Sequence, residues 1–161
     1  GYLAARGITV IRMPYAIEAF VLIIQQAITL ASPLEMPRIE DLTLPILVIE
    51  DNELLRETLA MILQFEGYPV ATAANGLLGL DAVTHGQYRL ILLDISMPVM
   101  NGIEFLTVYA NQTGPHAPVI IVSAQTETLP AGLLSMVIGT INKPYEISHL
   151  LMLVKQYAQP A

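Results

Sequence analysis

Short apolar runs alternate with amphipathic stretches from residue 46 almost to the end of the chain. The runs are bounded by polar or turn-forming residues and predict buried strands over residues 46–49, 70–73, 90–93, 119–122 and 137–141. Between them, apolar residues recur at helical spacing and predict helices over residues 53–66, 77–84, 103–112, 131–136 and 147–157. This alternation predicts an α/β domain in which right-handed crossovers join parallel strands.

Four of the predicted strands end in polar side chains of complementary chemistry. An acid pair follows the first strand, an acid the third, a hydroxyl the fourth and a lysine the fifth: Glu50, Asp51, Asp94, Ser123 and Lys143. The carboxyl ends of parallel strands share one edge of a sheet, so we expect these groups to converge there. Three carboxylates would repel one another unless a cation such as Mg²⁺, which prefers oxygen ligands, lies between them. Taken singly, each residue has an ordinary interpretation, such as a turn aspartate or a surface lysine.

The order of these residues resembles the receiver domain of two-component response regulators over about residues 45–158. The other residues that carry the resemblance are Met97, Pro98, Gly102 and Pro144. It implies a flavodoxin-like, doubly wound sheet of five parallel strands in the order 2-1-3-4-5, with helices on both faces, over residues 46–158. It also implies a signalling domain that accepts a phosphoryl group from a histidine kinase or phosphotransfer protein and then switches conformation, rather than an enzyme.

The resemblance further implies a nucleophile and a metal site. Asp94 is the residue that forms an aspartyl phosphate. Mg²⁺ is bound directly by Asp51, Asp94 and the backbone carbonyl of Ser96. Glu50 acts on the ion through a water molecule, a role that its additional methylene should permit.

Phosphoryl-binding, switching and tuning residues follow from the same resemblance. Lys143 contacts the phosphoryl oxygens, and its bond to Pro144 is cis, which is plausible only before proline. Ser123 moves its hydroxyl onto the phosphoryl group as the switch element. Ser96 and Gln125 occupy the positions that tune dephosphorylation.

The sequence departs from the family pattern in two places. Thr140 stands three residues before Lys143, where the family usually has an aromatic switch residue. The spacing from Ser123 to Lys143 is shorter than expected, which predicts that the fourth helix is truncated.

The alternative function is therefore a pseudo-receiver, which would act as a phosphorylation-independent interaction module. A phosphatase of the haloacid-dehalogenase kind is disfavoured because Ser96 stands where that class needs a second acid. A flavin-binding protein is disfavoured because the acids after the first strand would repel the flavin phosphate.

The first 45 residues have a different pattern. A short strand is predicted at residues 8–11, followed by an apolar helix that starts near Pro14 and ends near residue 31. Glu18 and two glutamines interrupt this helix, so we expect no membrane insertion. Residues 32–45 contain three prolines and are interpreted as a linker.

An internal similarity suggests an origin for this N-terminal extension. The segment VIRMPYAIEAFVLIIQQ from Val10 aligns without gaps on TINKPYEISHLLMLVKQ from Thr140. We interpret residues 1–31 as the last strand and helix of a preceding receiver domain, degenerate because Met13 replaces its lysine. An unrelated amphipathic helix is the alternative. Such an apolar helix has to be buried, so we expect it to pack on its own domain or to form a homodimer.

Charge and composition restrict the partners. The chain has a net charge of −7, and residues 46–158 contain ten acids against four lysines and arginines. A surface of that sign disfavours direct nucleic-acid binding. The chain contains no cysteine, which excludes disulfide and thiol chemistry. We see no signal peptide and no output domain after Tyr157, so we expect a cytoplasmic module that acts through a downstream protein.

Overall fold

The structure, a computed structural model, describes residues 44–124 and 128–158. Strands and helices alternate along these residues in the order β1 (Ile46–Ile49), α1 (Glu53–Phe65), β2 (Val70–Ala73), α2 (Gly76–His85), β3 (Leu90–Leu93), α3 (Gly102–Ala110), β4 (Val119–Ser123), a 3-10 turn (Ala131–Leu133), β5 (Val137–Asn142) and α4 (Ile147–Tyr157). The predictions for the extension, residues 1–31, and for all but the end of the linker, residues 32–45, lie outside the described residues and stay predictions.

The five strands form one parallel sheet in the order β2-β1-β3-β4-β5, which confirms the predicted fold and topology. The register aligns the carboxyl ends of its central strands, because Ile49 of β1 pairs with both Ala73 of β2 and Leu93 of β3. Backbone hydrogen bonds continue one residue further, from Glu50 N–H to the Ala73 carbonyl at 3.1 Å and from Asp94 N–H to the Ile49 carbonyl at 2.9 Å. Two of the predicted site residues are thereby held as extensions of the sheet.

Helices cover both faces of the sheet. On one face, Leu47 and Ile91 pack with Phe105 of α3 and with α2, and on the other Val48 packs with Leu59 of α1 and Leu150 of α4. The strands β1 and β3 are buried at every position, which explains why they are continuous apolar runs in the sequence. Among the described residues, no helix has the length and apolar content needed to cross a bilayer.

Asparagine residues start the first three helices. The side chains of Asn52, Asn75 and Asn101 each accept a hydrogen bond from a backbone N–H three residues later, at 3.0, 2.9 and 2.9 Å. Asn101 is also part of a capping box, since its own N–H donates to the Glu104 carboxylate at 2.9 Å. The caps fix the turn from each strand end into the next helix, and the predicted helix boundaries there differ from the observed ones by at most two residues.

The predicted fourth helix, residues 131–136, is replaced by the 3-10 turn Ala131–Leu133. The predicted truncation is confirmed, but the prediction of five helices is wrong for the described residues, which form four α-helices. Only Leu133 of the turn is buried, and Leu134 is exposed. The turn itself therefore has a single buried apolar side chain with which to hold a longer helix against the sheet.

Gly102 should be required for the loop that follows Asp94. A Cβ atom at Gly102 would lie 2.5 Å from the Asp94 carbonyl oxygen and 2.9 Å from Cα of Ile95, both backbone atoms. We expect Gly102→Ala to lower the free energy of unfolding by roughly 1–3 kcal/mol, as overpacking does. Gly132→Ala is the matched control, because nothing lies within 4 Å of its Cβ position. Urea unfolding of both variants is the measurement, and an equal effect would contradict the steric role of Gly102.

Candidate functional site

The predicted site residues meet at the carboxyl edge of the sheet. Glu50 and Asp51 follow β1, Asp94 follows β3, and carboxylate oxygens of all three lie within 4.8 Å of one another. Lys143 follows β5, and its ammonium nitrogen reaches two of these carboxylates. The predicted convergence is confirmed for Glu50, Asp51, Asp94 and Lys143.

Two of the three carboxylates are removed from solvent. Glu50 is 2% exposed and Asp94 is 6% exposed, whereas Asp51 is open to solvent. Carboxylates are rarely buried unless a cation or hydrogen-bond donors compensate them. A solvated acidic loop therefore does not describe this cluster.

Lys143 supplies the positive charge within the cluster. Its Nζ lies 2.7 Å from Oε2 of Glu50 and 3.3 Å from Oδ2 of Asp94, and its side chain is only 19% exposed. Its backbone N–H donates to the Ser123 carbonyl at 2.8 Å, and its bond to Pro144 is cis, as predicted. Lys143 is therefore a bridge between two buried acids and not a surface lysine.

Burial and pairing act in opposite directions on the ionisation of these groups. Burial raises the pKa of Glu50 above its usual range, although the hydrogen bond and the charge of Lys143 oppose that effect. Burial alone would lower the pKa of Lys143, but Glu50 and Asp94 outweigh it and raise that pKa. Lys143 consequently remains an ammonium throughout the physiological range.

The loop after β3 contacts the side chain of Asp94. The Ser96 N–H donates to Oδ1 of Asp94 at 3.3 Å, and Gly102 N–H donates to the Ile95 carbonyl at 2.9 Å, which closes the loop. Val99 adopts a left-handed conformation with φ of 71°, which is unusual for a β-branched residue. The predicted metal contact through the Ser96 carbonyl stays a prediction.

The remaining predicted residues are placed as follows. Ser123 ends β4 at the same edge of the sheet and is buried. Thr140, which stands where an aromatic switch residue was expected, lies in β5 and is exposed. Gln125 lies outside the described residues, and its tuning role stays a prediction.

Sequence reasoning assigned no role to Arg56. This residue of α1 donates through one guanidinium nitrogen to the Glu50 carbonyl at 2.8 Å and to the Asp51 carbonyl at 3.2 Å. These two hydrogen bonds hold the backbone of Glu50 and Asp51 against α1. The available signal was a single arginine in the second turn of the helix after the acid pair, which is weak because its acceptors are backbone atoms.

A cavity of about 660 Å³ lies apart from this cluster. It is bounded by the end of α2 and by the loops that precede β3 and β4, with Tyr88, Tyr109 and His116 in its wall. These loops lie at the amino edge of the sheet, opposite the acids. The convergence of charged groups therefore identifies the candidate site better than cavity size does.

Comparison with known sequences supplies a family for this arrangement. The sequence model described as "Response regulator receiver domain" matches residues 46–155. The "Uncharacterized transcriptional regulatory protein YkoG" of Bacillus subtilis is 36% identical over 113 residues, which cover 68% of this chain and 49% of that protein. The "DNA-binding response regulator MtrA" of Mycobacterium tuberculosis is 34% identical over 112 residues, which cover 68% and 48%. The chain thus spans about half the length of these curated relatives.

Solved structures of response regulators also resemble this chain. Response regulator protein TrrA from Thermotoga maritima, in complex with Mg²⁺ and BeF, superimposes with a TM-score of 0.60 at 29% identity, covering 70% of this chain and 97% of that chain. The receiver domain of the Francisella response regulator 1452 gives a TM-score of 0.64 at 26% identity, covering 71% and 96%. Both similarities cover nearly the whole of the solved chain.

Removing the ammonium of Lys143 should destabilise the domain. In Lys143→Met, Glu50 and Asp94 stay buried without their cation. We expect a loss near the lower end of the roughly 3–5 kcal/mol that follows removal of one partner from a buried ion pair. Urea unfolding in EDTA measures this loss, and added Mg²⁺ should stabilise the variant more than the wild type.

Lys155→Met is the matched control for that experiment. Lys155 pairs with Glu66 at the same 2.7 Å, but its side chain is 53% exposed. Its removal should change stability little, since solvent screens an exposed pair. Equal losses in the two variants would show that burial of the Lys143 bridge does not matter.

Proposed function

The chain belongs to the response regulator receiver domains of two-component systems, and we propose that it is a phospho-acceptor in which Asp94 takes a phosphoryl group with Mg²⁺. Receiver domains are signalling domains rather than classical enzymes, so the reaction modifies the protein itself. The proposed donor is a phosphorylated histidine of a kinase or phosphotransfer protein. The observation that carries the proposal is the setting of Asp94, a buried carboxylate grouped with two further carboxylates and an ammonium.

The proposed transfer forms one bond and breaks one. An oxygen of the Asp94 carboxylate attacks phosphorus, and the P–N bond of the phosphohistidine breaks with its electron pair going to the imidazole. Lys143, 3.3 Å from Oδ2 of Asp94, supplies positive charge next to the arriving phosphoryl oxygens. Asp94 attacks as a carboxylate, so no base is needed to remove a proton from it.

The acid cluster fits Mg²⁺, which prefers oxygen ligands and is commonly held by one or two carboxylates. The proposed direct ligands are Asp51, Asp94 and the backbone carbonyl of Ser96. Both carboxylate oxygens of Glu50 already accept hydrogen bonds, from Asn52 N–H at 3.2 Å and from Lys143 at 2.7 Å. This supports a water-mediated role for Glu50. When bound, Mg²⁺ neutralises charge on the phosphoryl oxygens.

The other proposed roles concern the modified state. Ser123 and Lys143 contact the phosphoryl group, and their backbones are joined by the hydrogen bond from Lys143 N–H to the Ser123 carbonyl. Ser123 is the switch element, and coupling of the site to a surface proceeds by a population shift. Ser96 and Gln125 tune the lifetime of the aspartyl phosphate.

A pseudo-receiver is the second candidate function. The exposed Thr140 and the single 3-10 turn before β5 favour it, because both depart from the family pattern. The complete set of acids and lysine argues against it. A phosphorylation assay separates the two functions.

We propose that residues 46–158 make no direct contact with DNA. Some relatives are described as DNA-binding, but this chain matches only about half of their length. The matched part contains ten acids against four lysines and arginines and so repels phosphates. The homodimer and the cytoplasmic location expected from the sequence stay predictions.

Asp94→Asn should abolish phosphorylation without unfolding the domain. The amide is nearly isosteric with the carboxylate but cannot form the aspartyl phosphate. Incubation with acetyl phosphate and Mg²⁺ followed by intact-mass spectrometry is the measurement, with the exposed Asp81→Asn on α2 as control. One phosphate on the wild type and on Asp81→Asn is expected. A phosphate on Asp94→Asn would refute the assignment, and none on the wild type would favour the pseudo-receiver.

Mg²⁺ binding should depend on Asp51 more than on Glu50. Asp51→Asn weakens a proposed direct ligand, whereas Glu50→Gln keeps the side-chain size and one of the two acceptor oxygens of a residue that is proposed to act through water. Calorimetric titration of both variants with MgCl₂ gives the order. An equal loss, or a larger loss for Glu50→Gln, would contradict the proposed ligand roles.

A further inference from the structure

The hydroxyl of Tyr145 is buried and has no hydrogen-bond partner among the described residues. The ring packs against the part of the core that α1 and α4 cover, two residues after Lys143. Buried side-chain hydroxyls nearly always have a partner, and an unpaired one is unfavourable. Phenylalanine would fill the same space without that disadvantage, so packing alone does not explain the hydroxyl.

The charged groups that act on this hydroxyl belong to the phosphorylation site. Burial raises the pKa of Tyr145, and the charges of Lys143, Glu50 and Asp94 act on it in addition. The hydroxyl is therefore a protonated donor near neutral pH. It takes part in none of the hydrogen bonds made in the acid cluster.

One carboxylate oxygen of the cluster, Oε2 of Glu50, accepts a hydrogen bond from Lys143, the residue that is proposed to contact the phosphoryl group. In the unmodified protein, Oε2 of Glu50 accepts its hydrogen bond from Lys143, while Oε1 accepts from Asn52 N–H. If Lys143 turns toward phosphoryl oxygens on Asp94, Oε2 loses that donor. Glu50 is 2% exposed, so bulk solvent cannot readily replace it.

We propose that Tyr145 is a positioning residue for the phosphorylated state, in which its hydroxyl donates to the Glu50 carboxylate as Lys143 turns to the phosphoryl group. This inference rests on the proposed phospho-acceptor function. The hydroxyl is unpaired before modification and paired after it, so it favours the modified conformation by the strength of one hydrogen bond to a charged group. Tyr145 thereby contributes to switching in a chain that has Thr140 where the family usually has an aromatic residue.

Tyr145→Phe tests this role because it removes only the hydroxyl. Beryllofluoride with Mg²⁺, the combination present in the similar TrrA structure, serves as the phosphoryl mimic. We expect the melting temperature of the unmodified variant to be unchanged or higher. We expect its apparent affinity for beryllofluoride to fall about tenfold, which corresponds to about 1.4 kcal/mol.

Tyr157→Phe is the matched control. Tyr157 packs on the same part of the core but lies at the end of α4. The next residue, Ala158, accepts a hydrogen bond from Arg89 at the amino edge of the sheet, opposite the acid cluster. This control should match the wild type in both measurements.

The outcomes separate the two levels of the proposal. Tyr145→Phe with wild-type affinity would overturn the role of Tyr145 while leaving the phospho-acceptor function intact. A large loss of stability in the unmodified variant would also overturn it, since the hydroxyl would then be paired before modification. A wild type that neither binds beryllofluoride nor accepts phosphate would instead refute the function on which the inference rests.

Discussion

The contact of one ammonium with two buried carboxylates is the interaction on which the carboxyl edge of this domain depends. Glu50 and Asp94 have almost no access to water, and an uncompensated charge in that position would be strongly unfavourable. Lys143 lies 2.7 and 3.3 Å from them and makes their burial tolerable. The same lysine is the group that a phosphoryl oxygen on Asp94 would attract. The stability of the unmodified state and the proposed response to modification therefore both depend on Lys143.

The parallel sheet, and not closeness along the chain, brings Lys143 into contact with the carboxylates. Lys143 and Glu50 lie 93 positions apart and are brought together by the register of β1, β3, β4 and β5. Backbone hydrogen bonds continue past the strand ends, and Arg56 binds the carbonyls of the acidic loop. The charged groups thus lie on loops but are held by the strands and by α1, which is the arrangement that precise charge placement requires.

The sequence predicted β1, β3 and β4 well because these strands are buried at every position and so have continuous apolar runs. The half-exposed β2 also has the predicted boundaries. It predicted where the charged groups meet because parallel strands place their carboxyl ends together. It did not predict the 3-10 turn at Ala131–Leu133, since the difference from a short helix depends on how little of that segment the sheet can bury. It also missed Arg56 and the Tyr145 hydroxyl. Arg56 donates to backbone carbonyls, and the Tyr145 hydroxyl is notable because it has no hydrogen-bond partner among the described residues. Neither feature can be recognised from the amino-acid sequence.

Among the described residues, the crossover that contains a 3-10 turn in place of an α-helix follows Ser123, the residue that is proposed to switch. Ser123 is buried at the end of β4, and its carbonyl accepts a backbone hydrogen bond from Lys143, so the two residues that are proposed to bind the phosphoryl group are coupled through their backbones. The crossover that joins them has Leu133 as its buried contact in the 3-10 turn. Segments with few buried apolar contacts are those that change conformation at the smallest free-energy cost. In this crossover the described residues Leu129, Leu133 and Met136 pack against the core, where each of the other three crossovers places an α-helix. A shift of the ends of β4 and β5 on phosphorylation would therefore disturb less packing here than the displacement of a helix would.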